Sequence, residues 1–321
     1  MKRLLSGVKP SGRPHVGNYF GAMRQFVDLA QTHESFVFVA DYHALNTVHD
    51  GPALRQNIID LVLDYLAIGL DPARTVLFKQ SDVLEHTELC WIFNTLTTMP
   101  YLMRAHAYKD AEAKNKEINV GTFDYPMLMA ADILLYSPDV VPVGQDQKQH
   151  VEYARDTAEK FNRTYGDTFL LPEAFIPTQV AIIPGVDGQK MSKSYHNTIP
   201  LFAEDDEIRK LCMSIVTDSK GVQEAKDPEQ CNVFALHRHF SADVLPELER
   251  RYREGGIGYK ESKELLAERV CAFVRPMRER RVELAKTPGL VQTVLSEGAE
   301  KARAIAGAKM REVREKVGVT I

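Results

Sequence analysis

The stretch RLLSGVKPSGRPHVGNYFGA, Arg3–Ala22, decides the fold. Its first six residues are short and rich in Leu and Val, as a buried strand should be. Pro10, Gly12 and Pro14 then make a tight loop, and His15-Val16-Gly17-Asn18 opens a helix. A strand that turns sharply into a helix is the opening unit of an alternating α/β chain. Backbone N–H groups at a helix start attract anions. Gly17 and Gly21 leave one face of the first turns bare, so a flat ring can lie against the backbone, and His15 can donate to a phosphate. The plainer reading is an ordinary helix start capped by Asn18. It explains Asn18 but not the pairing of His15 with Gly17. Neither G-x-G-x-x-G nor G-x-x-x-x-G-K-[ST] occurs in the chain, so this is not a dinucleotide fingerprint or a P-loop.

Outward from that stretch the pattern repeats. Further β-rich runs lie at Ser35–Val39, Thr75–Lys79, Val140–Val143 and Gln179–Ile183. Helical patterns separate them, at Asn18–Thr32, Ala53–Gly69, His86–Ala105, Tyr125–Tyr136 and Asp146–Tyr165. Alternation of this kind predicts an α/β, Rossmann-like parallel sheet whose ligands bind at the carboxyl ends of the strands. After about Asn197 the β signal stops. From Glu204 the chain reads as successive helices, punctuated by Gly221, Pro228, Gly255-Gly256, Pro288-Gly289 and Gly318. Small and apolar residues recur at helical spacing from Glu297 to Val317. The expected organisation is a catalytic domain over 1–200, an all-helical domain over 201–296, and a C-terminal helix over 297–321 that packs back near the domain interface.

Composition narrows the class. With 321 residues, 44% hydrophobic and 26% charged, the chain suits a globular protein with a sizeable core. No apolar run reaches the ~18 residues of a membrane span, and Pro10 and Gly12 end the short apolar start, so no signal peptide is expected. Cys90, Cys212, Cys231 and Cys271 are scattered without C-x-x-C spacing. They read as reduced thiols of a cytoplasmic protein, with no metal site. The net charge is −4, but from Arg250 onward 17 Lys+Arg face 10 Asp+Glu, leaving +7 there and −11 on the rest. Such a basic end suits either a phosphate backbone or a merely solvated helical surface.

A second stretch, GQKMSKSYHN at Gly188–Asn197, sets Lys190 and Lys193 three residues apart among Ser192 and Ser194. Alone it reads as a solvated loop. Together with the first stretch it resembles a family. SGVKPSGRPHVGNYFGA is similar to the His-Ile-Gly-His signature of class I aminoacyl-tRNA synthetases, and Lys190–Ser194 reads KMSKS, that class's second signature, to the letter. The resemblance implies displacement of pyrophosphate from ATP, with His15, Lys190 and Lys193 as catalytic groups. Two ammonium groups on a loop can close over charge on departing phosphates and matter most in the transition state. Mg²⁺ is expected with the ATP.

Tyr125, Met129 and Asp132 stand at i, i+4 and i+7 and so share one helical face. An indole is a flat apolar body with one N–H donor and no acceptor. Asp132 can meet that donor and Met129 can pack on the ring; equally, Asp132 can pair with a structural arginine while the other two are core. YPMLMAADILLY, which holds this face, resembles tryptophanyl-tRNA synthetases, and that resemblance carries the indole-binding role to Asp132, with Tyr125, Met129 and His43 lining the pocket. Met129 stands where tyrosyl relatives tend to carry a polar partner. The resemblance also implies that Gly144, Gln145 and Asp146 contact the nucleotide, that Gln147 reaches the amino acid's amino group, and that Ile182 offers backbone groups to adenine. Pro10, Ser11, Gly17, Asn18, Met191, Ser192 and Ser194 complete the expected ATP site. Lys9 departs from the glutamine of many bacterial members; it either adds a cation near the α-phosphate or substrate carboxylate, or faces solvent. Tyr195 replaces an aspartate often found after KMSKS.

The resemblance spans essentially the whole chain. It implies activation of L-tryptophan by ATP, transfer to tRNA(Trp), an anticodon-binding role for 201–296, a homodimer, and no membrane association. Rival readings are a tyrosyl relative, a nucleotidyl-transferase without tRNA, and a non-catalytic RNA-binding paralogue; intact His15, Gly17, Lys190 and Lys193 oppose the last.

Overall fold

The computed structural model describes residues 1–113, 117–142, 148–175 and 183–321. In chain order the elements are β1 (Arg3–Val8), α1 (Val16–Asn18), a π-helical turn (Tyr19–Met23), α2 (Arg24–Leu29), β2 (Glu34–Val39), α3 (Asp41–Ala44), α4 (Gly51–Ala67), β3 (Thr75–Lys79), a 3₁₀ turn (Gln80–Asp82), α5 (Glu85–Leu96), α6 (Met99–Leu102), α7 (His106–Ala113), α8 (Val120–Tyr136), β4 (Val141–Pro142), α9 (Lys148–Tyr165) and β5 (Ala174–Phe175). A 3₁₀ turn at Lys193–Tyr195 follows, then α10 (Asp205–Met213), α11 (Asn232–Phe240), α12 (Leu245–Glu254), α13 (Tyr259–Ala285) and α14 (Leu290–Val317).

The chain forms two compact units. One joins Met1–Gly12, Gln25–Gln179 and Pro288–Ile321. Its sheet is parallel: β1 pairs β2 from Arg3↔Glu34 to Val8↔Val39, and β2 pairs β3 from Ser35↔Thr75 to Val39↔Lys79. Leu4 bridges Val140, the Leu5 N–H donates to the Val140 carbonyl at 3.2 Å, and β4 pairs β5 in parallel. Through that bridge the three-stranded sheet and the β4-β5 pair line up in the order 3-2-1-4-5, that of a doubly wound Rossmann-like sheet. β2 is buried along Ser35–Val39, which explains its unbroken apolar run.

Helix α14 belongs to this unit, where it packs on β3, α5 and α8. Its buried stripe runs Gly298, Ala299, Ala302, Ala306, Met310, Val313. A Cβ on Gly298 would lie 1.9 Å from the Leu77 carbonyl oxygen, so only glycine lets the helix sit against the β3 backbone. Polar contacts fix its rotation: Arg303 Nε donates to the Asp82 carbonyl at 2.8 Å, Lys309 Nζ to the Thr168 carbonyl at 2.8 Å, and Arg314 Nε to Glu88 at 2.7 Å.

The other unit joins Arg13–Arg24 to Val180–Thr287. Here α13 packs against α10 and α11. Residues 13–24 are held to it by backbone bonds, Val16 N–H to the Ile199 carbonyl at 2.9 Å and Leu201 N–H to the Pro14 carbonyl at 3.0 Å. Phe20 on the π turn meets Phe240 and Phe273 at 5.4 and 5.5 Å between ring centres.

The units cut the chain at places different from the 1–200, 201–296 and 297–321 division. Loop 13–24 is tied by hydrogen bonds to residues far downstream, and the terminal helix starts at Leu290. Elements differ too. The expected helix over His86–Ala105 breaks after Leu96, because Pro100 starts a new helix in its first turn. Helix α8 starts five residues before Tyr125, capped by Asn119, whose side chain accepts the Thr122 N–H at 2.7 Å. Of the run Val140–Val143, Val141 and Pro142 form the strand and Val143 lies outside the described residues. The Gln179–Ile183 run also lies outside them except Ile183, which is not in a strand; β5, at Ala174–Phe175, is not among the expected runs.

The close seat of α14 generates a stability prediction. Gly298→Ala drives a methyl into the β3 backbone and lowers the free energy of unfolding by about 3 kcal/mol. Urea unfolding measures it; an unchanged midpoint contradicts the packing described.

Candidate active site

The expected face of α8 is present. Tyr125 and Met129 are half-buried, and Asp132 is only 1% exposed. Asp132 Oδ2 accepts from His43 Nε2 at 2.9 Å. Oδ1 accepts from Gln80 Nε2 at 2.7 Å and His86 Nδ1 at 2.6 Å. The partners are two imidazoles and an amide, not an arginine. Burial alone would push this carboxyl up, but hydrogen bonds from His43 and His86 outweigh it and hold its pKa at about 2. His43 rides on α3 just past β2, and Gln80 follows β3. The carboxyl ends of two neighbouring strands therefore deliver donors to one carboxylate, as the sheet topology favours. The His43 and Tyr125 rings meet edge-on at 6.2 Å, and the Tyr125 hydroxyl bonds His150 Nε2 at 2.6 Å.

The second unit holds the other group of expected residues. His15, not Asn18 alone, caps α1: its Nδ1 accepts the Asn18 N–H at 3.2 Å, while Asn18 Oδ1 accepts the His15 N–H at 3.1 Å. This reciprocal box leaves the ring proton on Nε2. Burial, then the Lys193 charge, lowers the His15 pKa to about 4. The ring is thus neutral at pH 7, a hydrogen-bond donor and not a cation. A Cβ on Gly17 would stand 3.0 Å from His15 Nδ1 and 3.3 Å from Met191 Cβ. The missing side chain lets the helix start and the KMSKS loop close on the same imidazole.

That loop is braced. Pro184 and Lys190 form an antiparallel bridge, and the Met191 N–H donates to the Ile183 carbonyl at 2.9 Å. Buried Asn197 supports it from within: its Oδ1 accepts the Ser192 N–H at 2.8 Å, and its Nδ2 donates to Asp187 at 2.7 Å and to the Lys190 carbonyl at 3.2 Å. The Ser192 and Ser194 hydroxyls pair at 2.8 Å. Met191 is buried, while Lys190, Lys193 and Ser194 are exposed. Two ammonium stems leave a hydrogen-bonded frame, an arrangement suited to an anion.

Lys9, Pro10 and Ser11 follow the carboxyl end of β1; Lys9 and Ser11 are exposed and Pro10 is buried. The expected nucleotide and amino-group ligands Gly144, Gln145, Asp146, Gln147 and Ile182 lie outside the described residues. Among the described residues, no group of three or more His, Cys, Asp or Glu could hold a metal ion. Sequence reading missed Gln80, His86, Tyr136, His150 and Asn197. Asn197 is near its partners in sequence and followed the motif in plain view; Gln80 and His86 meet Asp132 across 52 and 46 residues, a distance that periodicity does not carry.

Comparison with known proteins shows the family. Residues 1–275 match the family model described as tRNA synthetases class I (W and Y). The chain is 48% identical to the tryptophan–tRNA ligase of Fusobacterium nucleatum subsp. nucleatum, over 99% of this chain and 98% of the relative. It is 47% identical to that of Rhodopirellula baltica, over 99% of both. The crystal structure of tryptophanyl-tRNA synthetase from Campylobacter jejuni complexed with ADP and tryptophan superposes with a TM-score of 0.92 at 46% identity, covering 98% of this chain and 99% of that one.

The His15 geometry predicts a titration. Folding lowers this pKa, so the unfolded chain takes up the proton first. The stability that neutral His15 contributes is full above pH 6.5 and is lost as the pH falls from 6.5 through 4. NMR of the labelled imidazole gives a midpoint near 4, and Lys193→Ala moves it upward. A midpoint near 6.5 contradicts the buried, cation-flanked site.

Proposed function

The chain belongs to the class I tRNA synthetases of the W and Y family, and we infer that within that family it is a tryptophan–tRNA ligase. It activates L-tryptophan with ATP to tryptophanyl-adenylate, releasing pyrophosphate. It then passes the tryptophanyl group to the 3′-terminal adenosine of tRNA(Trp). The observation that carries the choice of amino acid is Asp132, a buried acceptor with Met129 and Tyr125 on its own helical face. A ring with one N–H donor suits it, and Met129 supplies soft contact rather than a partner for a phenol.

The chemistry divides among named groups. The tryptophan carboxylate attacks the α-phosphorus as the bond to pyrophosphate breaks. Neutral His15 donates its Nε2 proton as a hydrogen bond to phosphate oxygen. Lys190 and Lys193 meet the charge that gathers on the departing diphosphate. Lys9, Pro10, Ser11, Gly17, Asn18, Met191, Ser192, Ser194 and, by resemblance, Gly144, Gln145, Asp146 and Ile182 hold the nucleotide; His43 and Gln147 complete the amino-acid pocket. Mg²⁺ supplies charge neutralisation when it arrives on the phosphates of ATP. The donor set fits that mode: the motifs offer cations and hydroxyls rather than a carboxylate cage.

Residues 201–296 are read as the anticodon-binding part, and the basic charge of that part lies in its second half, where 11 Lys+Arg face 6 Asp+Glu from Arg250 to residue 296. A symmetric homodimer is supported by apolar side chains left exposed just before α5, on α5, on α6 and at the start of α8: Leu84, Trp91, Met99 and Val120, each at least 67% exposed. A cytoplasmic place accords with four unpaired cysteines.

Pyrophosphate exchange decides the substrate. Tryptophan drives exchange and tyrosine does not; exchange driven by tyrosine alone overturns the assignment. Lys193→Ala lowers kcat by about 10²-fold with much less change in ATP binding. An equal loss in both makes Lys193 a ground-state contact instead.

A further inference from the structure

The donors around Asp132 do unequal work. A carboxylate offers about four lone-pair sites. Oδ1 fills both of its own with Gln80 Nε2 and His86 Nδ1, at 2.7 and 2.6 Å. Oδ2 takes His43 alone, at 2.9 Å. Among the described residues, one lone pair, on Oδ2, is left. We propose that His86 and Gln80 are positioning residues which, by saturating Oδ1, turn Asp132 into an acceptor for a single ring N–H and so set the enzyme's discrimination against amino acids lacking that donor. The inference rests on the assignment of Asp132 to the indole pocket.

Three further features support it. First, His86 has no freedom to serve otherwise. It is fully buried, its Nε2 lies 2.9 Å from the Tyr136 hydroxyl, and Phe38, Phe78 and Tyr136 surround its ring at 6.0, 6.2 and 5.6 Å. With the Tyr136 hydroxyl donating to Nε2, the ring proton sits on Nδ1, aimed at the carboxylate. A flip of the ring would break both bonds.

Second, Gln80 keeps a polar atom unsatisfied to supply its donor. It is fully buried, and its Oε1 has no hydrogen-bond partner among the described residues. Turning the amide over would set Oε1 against Oδ1, carbonyl oxygen against carboxylate. An orphaned buried acceptor costs roughly 1–3 kcal/mol, so the orientation is held by the charge it serves. A residue kept at that expense in a buried network reads as functional.

Third, the turns that carry the donors are latched. The Ser81 N–H donates to Asp41 Oδ1 at 3.0 Å and its hydroxyl to Asp41 Oδ2 at 2.5 Å. This joins the 3₁₀ turn bearing Gln80 to α3 bearing His43, so donors on both carboxylate oxygens keep a fixed spacing. Asp132 is also kept ionised, with its pKa at about 2. A bound isostere without an N–H then leaves a buried charge one donor short, which sites of this kind reject by several orders of magnitude.

The test uses the full-length enzyme and two amino acids: tryptophan, and β-(3-benzothienyl)alanine, in which sulfur replaces the ring N–H. The readout is the ratio of their kcat/KM values in pyrophosphate exchange. Wild type favours tryptophan strongly. His86→Leu, which fits the aromatic surround, reduces that ratio by about 10- to 100-fold, mainly through a raised KM for tryptophan. His86→Asn, whose amide places a donor near the Nδ1 position, recovers most of it. Gln80→Leu, a second variant, also reduces the ratio. If both leucine variants lower kcat/KM equally for the two amino acids, the ratio is unchanged and the positioning role is overturned while the indole site stands. If wild type uses the two equally, the indole assignment of Asp132 fails first.

Discussion

A carboxylate sealed from water stays ionised only where enough donors surround it. Asp132 meets that requirement with side chains from three separate elements: His43 from α3, Gln80 from the turn after β3, and His86 from α5. Each of those elements is placed by the sheet or by packing around α8. The charge therefore ties the pocket to the fold. Removing any donor leaves a buried ion under-solvated, and loosening the sheet moves two donors at once. In the proposed pocket, recognition of one small polar group on a large apolar ring depends on this rigidity, because a mobile carboxylate can rotate to satisfy itself and would accept a ring without an N–H.

The residues proposed to meet the nucleotide follow a different logic. Lys190 and Lys193 sit on exposed stems, and hydrogen bonds fix the backbone that carries them. Asn197 and Asp187 hold the backbone of the KMSKS loop, Met191 anchors it, and His15 is locked by Asn18 into a neutral tautomer. Charge that develops late in a reaction is met best by cations whose stems can move from a frame that does not. A neutral donor at His15 complements them, since a third fixed cation would bind ground-state phosphate as tightly as the transition state.

Much of this was legible in the sequence for physical reasons. β1 and β3 were bounded to the residue, because parallel strands buried on both sides are short apolar runs between turn signals. The face of α8 followed from helical spacing, and the pairing of His15 with Gly17 from its oddity as a plain helix start. The structure then gave Gly17 a concrete task beside His15 and Met191. What escaped was set by distant contact. Nothing local in Gln80 or His86 announces a carboxylate some fifty residues on, and nothing in the terminal stripe of small residues says that β3 is where it lands. The assignment of 13–24 to the second unit depends on hydrogen bonds between Val16 and Ile199 and between Leu201 and Pro14, which no periodicity encodes. The break after Leu96 was readable from Pro100, and an unbroken apolar pattern masked it.

The central claim is that Asp132 takes the ring N–H of the substrate on its open lone pair. Tryptophan labelled with ¹⁵N in the indole reports that bond directly when titrated into the protein and followed by proton–nitrogen NMR. The account predicts a bound ring N–H proton displaced downfield from its free position, with the displacement abolished in Asp132→Ala. A bound ring N–H at its free position in the wild-type complex, or a downfield resonance that survives Asp132→Ala, contradicts it.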